Sequence, residues 1–244
     1  MIEIRELTEN NEFVEAVKLQ KAIWGFDDID LLPVRLFVTA SKIGGHSFGA
    51  FDGSKMVGYC IAIPGIKPGA KGYLHSHMLG VTKGYRDAGL GRKLKLAQRE
   101  HGLRQGVDLM EWTFDPTEIR NAHLNIARLG VIVRRYQPDF YGPSSSPLQG
   151  GLPTDRLYAE WWLRSNRVAG ILRGEAQPIE VIERIIVPHA IYQWKQDPQQ
   201  RNLALALQSK NREALESAFH RDLAVIGYER DGQGNGTFLL GRWK

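Results

Sequence analysis

The sequence predicts an α/β fold of the mixed α+β kind, organised on one mixed sheet, with a C-terminal helix-plus-hairpin extension. Three observations lead there. Segments of strand period and helical period alternate through the first two thirds of the chain. A glycine-rich basic stretch, "GYRDAGLGRKL" at residues 84–94, falls where a strand gives way to a helix. Beyond about residue 168 the pattern changes to one strand, one long helix and a hairpin. With 43% hydrophobic and 24% charged residues among 244, the composition is that of a globular chain with a sizeable core. Two parts are expected, a core over residues 1–167 and an extension over 168–244.

Taken in order, "IEIRELT" alternates apolar and polar residues as a half-buried strand does. Asn10 or Asn11 caps a helix carrying Phe13, Val14, Val17, Ile23 and Trp24 on one side. Pro33, at a favoured first-turn position, opens a second helix that the glycine pair 44–45 ends. "HSFGAFDGSKMVGYCIAIPGI" reads as two strands around the turn "DGSK". "GYLHSHMLGV" is the strand that leads into the glycine-rich stretch, and residues 89–105 form a helix with Leu90, Leu94, Ala97 and His101 on one stripe. "VDLMEWTF" is a buried strand, and Glu118 to Leu129 a helix stopped by Gly130. "VIVRRYQP" and "RLYAEWWLRS" are strands on either side of the Gly-, Pro- and Ser-rich loop 142–155, a length that suits a lid or part of a binding wall. In the extension, "IEVIERIIVP" is a strand. Pro198 to about Arg221 is a helix turning Leu203, Leu207, Ala214, Leu215, Ala218 and Phe219 inward. The end is a hairpin whose "GQGNG" reads as a turn, because no helix follows it as in a nucleotide loop.

Composition disfavours several function classes. No stretch approaches about 18 uninterrupted apolar residues, so neither a membrane-spanning helix nor a membrane partner is expected. "MIEIRELTEN" carries no apolar signal region. Cys60, the single cysteine, sits in the apolar run "MVGYCIAI", where a buried thiol is expected rather than a nucleophile. A cytoplasmic location is the expectation. The net charge of +5 favours an anionic partner. Lys83, Arg86, Arg92, Lys93, Lys95 and Arg99 gather in one turn and the helix after it, without a basic tail interleaved with aromatics. That distribution favours a compact phosphate site over a nucleic-acid surface.

The glycine stretch narrows the choice. Gly84 and Gly89 have P-loop spacing, but Leu90 and Gly91 stand where the lysine and hydroxyl belong. After Gly89 and Gly91, Leu94 occupies the place of the third glycine of a dinucleotide fold. Arg-x-x-Gly-x-Gly, from Arg86 to Gly91, remains. Between a strand and a helix, such a turn brings several N–H groups and the positive end of the helix dipole to one point, which suits a diphosphate without a metal.

Motif and element order together resemble the GNAT superfamily of acyl-CoA-dependent N-acyltransferases, over roughly residues 1–165. The chain is most similar to a poorly characterised bacterial group sharing "LHSHMLGV", "NAHLNIARLG" and "GLPTDRLYAEW". The resemblance implies a GNAT-like fold, acetyl-CoA or another acyl-CoA such as succinyl-CoA as co-substrate, no metal, and direct attack by an amine in a ternary complex. Leu79, Gly80 and Val81, following Met78, are implied to hold the pantetheine arm and to set a backbone N–H on the thioester oxygen. The fourth and fifth strands would splay to admit that arm. Arg86, Asp87, Ala88, Gly89, Leu90, Gly91 and Arg92 would take the diphosphate, and the basic helix face the adenosine 3'-phosphate.

His75 stands where several histone-type members place a catalytic glutamate, and His77 lies two residues on, so both project from one face of the strand. An ordinary pKa of about 6.5 suits a histidine to take the amine proton. The tyrosine that many members carry four residues before the helix-ending glycine, as acid for the leaving thiolate, is absent: that position is Ile126. Asn121 and Asn125, i and i+4 on one helical face, are candidates to bind pantetheine or a water. Tyr136 and Tyr141 are candidates for the missing acid.

Acceptor contacts are expected from Trp24, Arg35, Arg134, Arg135, Arg156 and the loop 142–155, the arginines pointing to a carboxylate on the acceptor or on the acyl group. The expected function is transfer of an acetyl or succinyl group to the amine of a small molecule, an amino acid among the candidates. The extension is expected to complete the acceptor pocket or form a homodimer interface. Two alternatives stay open: an acyl-CoA-binding protein without turnover, for which the missing tyrosine speaks, and a nucleic-acid-binding protein using the basic face.

Overall fold

The structure, a computed structural model, describes residues 1–68 and 71–243. The chain divides into two compact units, Met1–Trp112 and Thr113–Lys244. The boundary expected at 167/168 falls inside the second.

The first unit carries β1 (Ile2–Glu6), α1 (Asn10–Trp24), α2 (Val34–Lys42), β2 (His46–Asp52), β3 (Lys55–Gly65), β4 (Tyr73–Val81) and α3 (Leu90–Arg104), and ends within β5 (Leu109–Phe114). The strands lie in the order β1-β2-β3-β4-β5, antiparallel except for the parallel pair β4–β5. Helix α1 begins after Glu9 rather than at an asparagine cap. Glu12 reaches back to accept from the N–H groups of Thr8 (2.9 Å) and Glu9 (3.1 Å), satisfying donors that a helix start leaves open. Leu7, Phe13, Ala16, Phe37, Phe51, Met56, Tyr59 and Ile61 pack α1 and α2 on one side of the sheet. Phe48, Ala50, Val57, Cys60, Leu90 and Leu94 pack α3 on the other. Each large side chain buried this way contributes about 1.5–3 kcal/mol. Cys60 is fully buried, and burial pushes its thiol up to about 12.

The second unit carries α4 (Ile119–Ala122), which continues as a π-helical segment His123–Arg128, then β6 (Ile132–Gln137), β7 (Arg156–Trp162), α5 (Asn166–Arg173) and β8 (Glu183–Val187). After these come α6 (Ile191–Gln196), α7 (Arg201–His220), β9 (Leu223–Arg230) and β10 (Gly236–Arg242). Its strands lie in the order β7-β6-β9-β10-β8, so the C-terminal strands pair with β6 of the core. Two short helices, α5 and α6, have no counterpart in the sequence-based expectation. On α7 the inner face is Ala204, Gln208, Asn211, Leu215 and Ala218, while Leu203 is exposed. The inward amides donate to distant backbone, Gln208 to Pro153 O (2.9 Å) and Asn211 to Ile186 O (3.1 Å), while Gln208 Oε1 is buried without a partner. Among the described residues no helix is long and apolar enough to cross a membrane.

Candidate functional site

Strand β4 is irregular where the sequence places its histidines. Its register with β3 runs Ile61↔Met78 and then Ala62↔Ser76, which leaves His77 as the extra residue of a β-bulge. His75 pairs with Ile63, which packs on the α1–α2 side. The rings of His75 and His77 lie 5.9 Å apart, tilted by 40°. Burial, with the neighbouring His77, Lys95 and Lys67, lowers the His75 pKa to about 4, and burial lowers that of His77. Both rings are therefore neutral at pH 7. Met78 then packs toward α1–α2, and Leu79 and Val81 toward α3. Gly80 has a packing reason of its own: a Cβ there would lie 2.6 Å from Trp24 Cη2 and 2.8 Å from Ile23 Cδ1 of α1.

The ladder between β4 and β5 consists of Leu74↔Met110 and His75↔Glu111, while β4 runs on to Val81. The two strands part after that rung. Glu111, at 2% exposure, is held by Lys67 Nζ at 2.5 Å. Immediately past the rung, on the α3 side, Lys95 Nζ donates to Ser76 Oγ (2.7 Å), Ser76 donates to Gln98 Oε1 (2.8 Å), and Lys95 Nζ lies 3.4 Å from the centre of the Trp112 ring. Lys95, expected on the basic helix face, is in fact 3% exposed. Its Cβ falls on the inner side of α3 beside Leu94.

The glycine-rich turn follows β4. Arg86 Nε donates to Val81 O (3.1 Å), Thr82 Oγ1 to Val57 O (3.1 Å), and Tyr85 OH to Asp52 Oδ2 (2.7 Å). Asp87 (φ 64°) and Gly89 (φ 74°) take the left-handed conformation, and Gly89 caps α3 without a side-chain acceptor. The first intrahelical bond runs from Lys93 N to Gly89 O (3.1 Å), so the N–H groups of Leu90 and Gly91 precede the helical ladder. Arg86, Asp87, Ala88 and Gly89 are exposed, and a Cβ on Gly89 would meet no atom within 4 Å. The turn is thus an exposed glycine-containing stretch at the positive end of a 15-residue helix.

In the second unit, Asn125 is buried and donates to Asn121 Oδ1 (3.2 Å), while Asn121 is exposed. Ile126 is fully buried. Tyr141 is 48% exposed, with its hydroxyl 3.1 Å from Thr113 Oγ1 and the Arg156 guanidinium 5.3 Å over its ring. Tyr136 is taken up elsewhere: it donates to Asp155, which also receives Arg212 Nε (3.0 Å) and Nη2 (2.6 Å). Burial and that carboxylate raise the Tyr136 phenol well above its ordinary range, which unsuits it as an acid. Of the arginines expected at the mouth, Arg134 is paired with Glu160, Arg135 lies over Tyr158, and Arg156 donates to Asp155 O and Gln149. Arg35 and Trp24 belong to the first unit, Arg35 exposed.

Sequence reading passed over several groups. Glu111 and Ser76 interrupt apolar strands, which was the available signal. Lys195 of α6 reaches Asp115 (2.9 Å), Thr117 Oγ1 (3.3 Å) and Glu118 (3.3 Å). Burial pushes both carboxyl groups up. Lys195 brings Asp115 below the ordinary range, whereas Glu118 stays above it. Nothing in the sequence announces a lysine 80 residues away from its partner. Among the described residues no group of three or more His, Cys, Asp or Glu side chains is placed to hold a metal ion.

No protein-family model matches the sequence, and no curated protein matches it. Solved structures do. A protein of Desulfovibrio desulfuricans assigned to the GNAT family of acetyltransferases superposes with a TM-score of 0.51 at 16% identity, over 67% of this chain and 99% of that one. The fold is that of the GNAT acetyltransferases. The ribosomal-protein-S18-alanine N-acetyltransferase of Escherichia coli superposes at TM-score 0.52 and 15% identity, over 68% of this chain and 96% of its own. A Salmonella typhimurium protein assigned as an acetyltransferase, with its cofactor acetyl-CoA, does so at 0.53 and 15%, over 68% and 95%.

Proposed function

We propose that this chain is an acyl-CoA-dependent N-acyltransferase that moves an acetyl or succinyl group to the amine of a small molecule by direct attack. One observation carries the reading: β4 runs past its last rung with β5 into an exposed turn with Asp87 and Gly89 left-handed, from which α3 starts at Leu90 without a side-chain cap from Gly89. That is one continuous path, a strand edge for a polyamide arm and then an anion cradle for a diphosphate. The acetyl-CoA held by the Salmonella neighbour supports the choice of ligand.

In this reading Leu79, Gly80 and Val81 hold the pantetheine by backbone hydrogen bonds, and residues 86–92 hold the diphosphate. Asn121 and Asn125 assist the arm. A β4 N–H donates to the thioester oxygen as negative charge gathers there. The amine nitrogen bonds to the thioester carbon, the C–S bond breaks, and His75 or His77, both neutral at pH 7, takes the amine proton directly or through water. Tyr141, exposed and hydroxyl-paired with Thr113, returns a proton to the thiolate. The loop 142–155, braced by Gln208 and Arg212, forms part of the acceptor wall, which gives the C-terminal extension its role.

The test is thermal unfolding with CoA, acetyl-CoA, succinyl-CoA, NAD and ATP in parallel, repeated on Gly89→Glu. A ligand at about 100 times its Kd adds about 2.7 kcal/mol to stability. A CoA-selective shift that Gly89→Glu abolishes supports the reading, and no shift with any CoA species rejects it. Binding with no transfer to any amine in a broad panel would favour the alternative of a CoA-binding protein without turnover. The buried Ile126 in place of the usual tyrosine is the observation on that side.

A further inference from the structure

Lys95 is a buried cation without an anion. Its ammonium contacts Ser76 Oγ and the face of Trp112, and among the described residues no carboxylate is within ion-pair distance. The titratable groups around it are Cys60 of β3, His46 of β2 and His75 of β4, none of them acidic in the carboxylate sense. Buried lysines are rare unless paired. A second donor lies beside it without an acceptor. Ser76 Oγ takes a hydrogen bond from Lys95 and gives its own proton to Gln98 Oε1, which fixes the amide and leaves Gln98 Nε2 unpartnered, in a side chain with no solvent exposure. Lys95 and Gln98 are i and i+3 on α3, and both side chains meet at Ser76, Lys95 through its ammonium and Gln98 through Oε1. Ser76 and Trp112 are the first residues beyond the His75↔Glu111 rung. The donor pair therefore stands at the closed end of the fork between β4 and β5.

Resting on the proposed function, which seats the thioester in that fork, we propose that Lys95 and Gln98 determine the acyl group, selecting an acyl chain that ends in a carboxylate. The missing acceptor at this spot is an anion. A carboxylate at the tail of a short dicarboxylic acyl chain supplies it and satisfies both donors at once. Burial holds the free Lys95 to about 7, so it is partly neutral before the ligand arrives and gains a proton when a carboxylate joins it.

The experiment is calorimetric titration of the full chain with CoA, acetyl-CoA, butyryl-CoA and succinyl-CoA in two buffers of different ionisation enthalpy, at a pH close to the free Lys95 value of about 7. Butyryl-CoA has the chain length of succinyl-CoA without its carboxylate. Succinyl-CoA is expected to bind about tenfold or more tightly than butyryl-CoA and, alone of the four, to take up protons. Lys95→Met should erase the preference and the uptake while leaving CoA itself unchanged. Equal affinities for succinyl- and butyryl-CoA, or no proton uptake by the unmodified protein, overturn the inference while CoA and acetyl-CoA binding keep the proposed function standing. Failure of every CoA species to bind overturns both.

Discussion

His75 and His77 face each other across 5.9 Å on a strand whose ladder skips His77. In a regular strand, residues two apart share a face, but the bulge adds a residue here and re-aims the strand beyond it, so that Met78 turns to the same side as His75. Replacing either histidine by glutamine is expected to lower turnover about 100-fold for whichever ring takes the proton, with CoA affinity unchanged. The base must be neutral, and the His75 pKa sits at about 4. The acid limb due to His75 in kcat/KM thus belongs near that pH, below the ordinary histidine range. Steady-state rates of both variants across pH check it; two fully active variants would remove the pair from the chemistry.

Gly80 is small because α1 lies on it. A Cβ would stand 2.6 Å from Trp24 Cη2, and Ile23 blocks the other side. Gly80→Ala is expected to cost about 2 kcal/mol by overpacking. Trimming the obstruction with Trp24→Leu should make the second change cheaper than it is alone, a coupling that a double-mutant cycle in urea reads directly. Additive losses would show that the glycine serves something other than α1.

His46 has no solvent exposure, both ring nitrogens lack partners, and its ring lies 4.4 Å from that of His101. Burial first, then the charges of His101, Lys95 and Arg104, lower its pKa to about 3. The unfolded chain, with an ordinary value of about 6.5, binds the proton more readily, so the contribution is complete above about pH 6.5 and is lost as pH falls toward 3. Between pH 6.5 and 4.5 this one group should remove about 2–3 kcal/mol of stability. His46→Leu, which also deletes two unsatisfied buried atoms, should match or exceed the unmodified protein at pH 7 and show a flatter acid limb. Urea titrations at the two pH values decide it; parallel pH dependence in both proteins would mean that His46 is not buried neutral.

Strand period, turn chemistry and capping made most of the fold legible. The "DGSK" hairpin, β4 and α3 are readable because each is specified by residues next to one another. α5 carried its signals too, with Ser165 accepting from Val168 N at 3.2 Å and Gly174 closing the helix at φ 83°, but eight residues give too few periods to stand out. The glycine-rich turn before α3 was readable because glycine conformations and helix starts are local. What the sequence could not disclose was the company kept across strands. Lys95 looked like one more surface cation, and only the packing of α3 on β4 and β5 turns it inward. Arg134, Arg135 and Arg156 looked available for a ligand, and the fold engages each with neighbouring side chains. Those partners come from register and long-range pairing, which neighbouring residues do not encode.

Asp155 ties the loop 142–155 to the C-terminal helix. It has no solvent exposure and accepts from Tyr136, from Asp139 N (3.0 Å) and from two nitrogens of Arg212, while Gln208 one turn earlier on α7 holds Pro153 O. A buried carboxylate loses more by being left alone than the pair gains by being made, because the stranded charge keeps its desolvation penalty. Arg212→Leu should therefore cost about 3–5 kcal/mol, more than Tyr136→Phe, which removes one neutral donor to the carboxylate at about 1.5–3 kcal/mol. Adding Asp155→Asn to Arg212→Leu should recover part of the loss, since the uncompensated charge is gone. Denaturation of the unmodified protein, Arg212→Leu, Asp155→Asn and the double variant measures the cycle, with Tyr136→Phe beside them, and hydrogen exchange at residues 142–155 shows whether the loop loosens. If Arg212→Leu is no worse than Tyr136→Phe, the ion pair does not hold the wall, and the proposed role of the extension in shaping the acceptor side loses its main support.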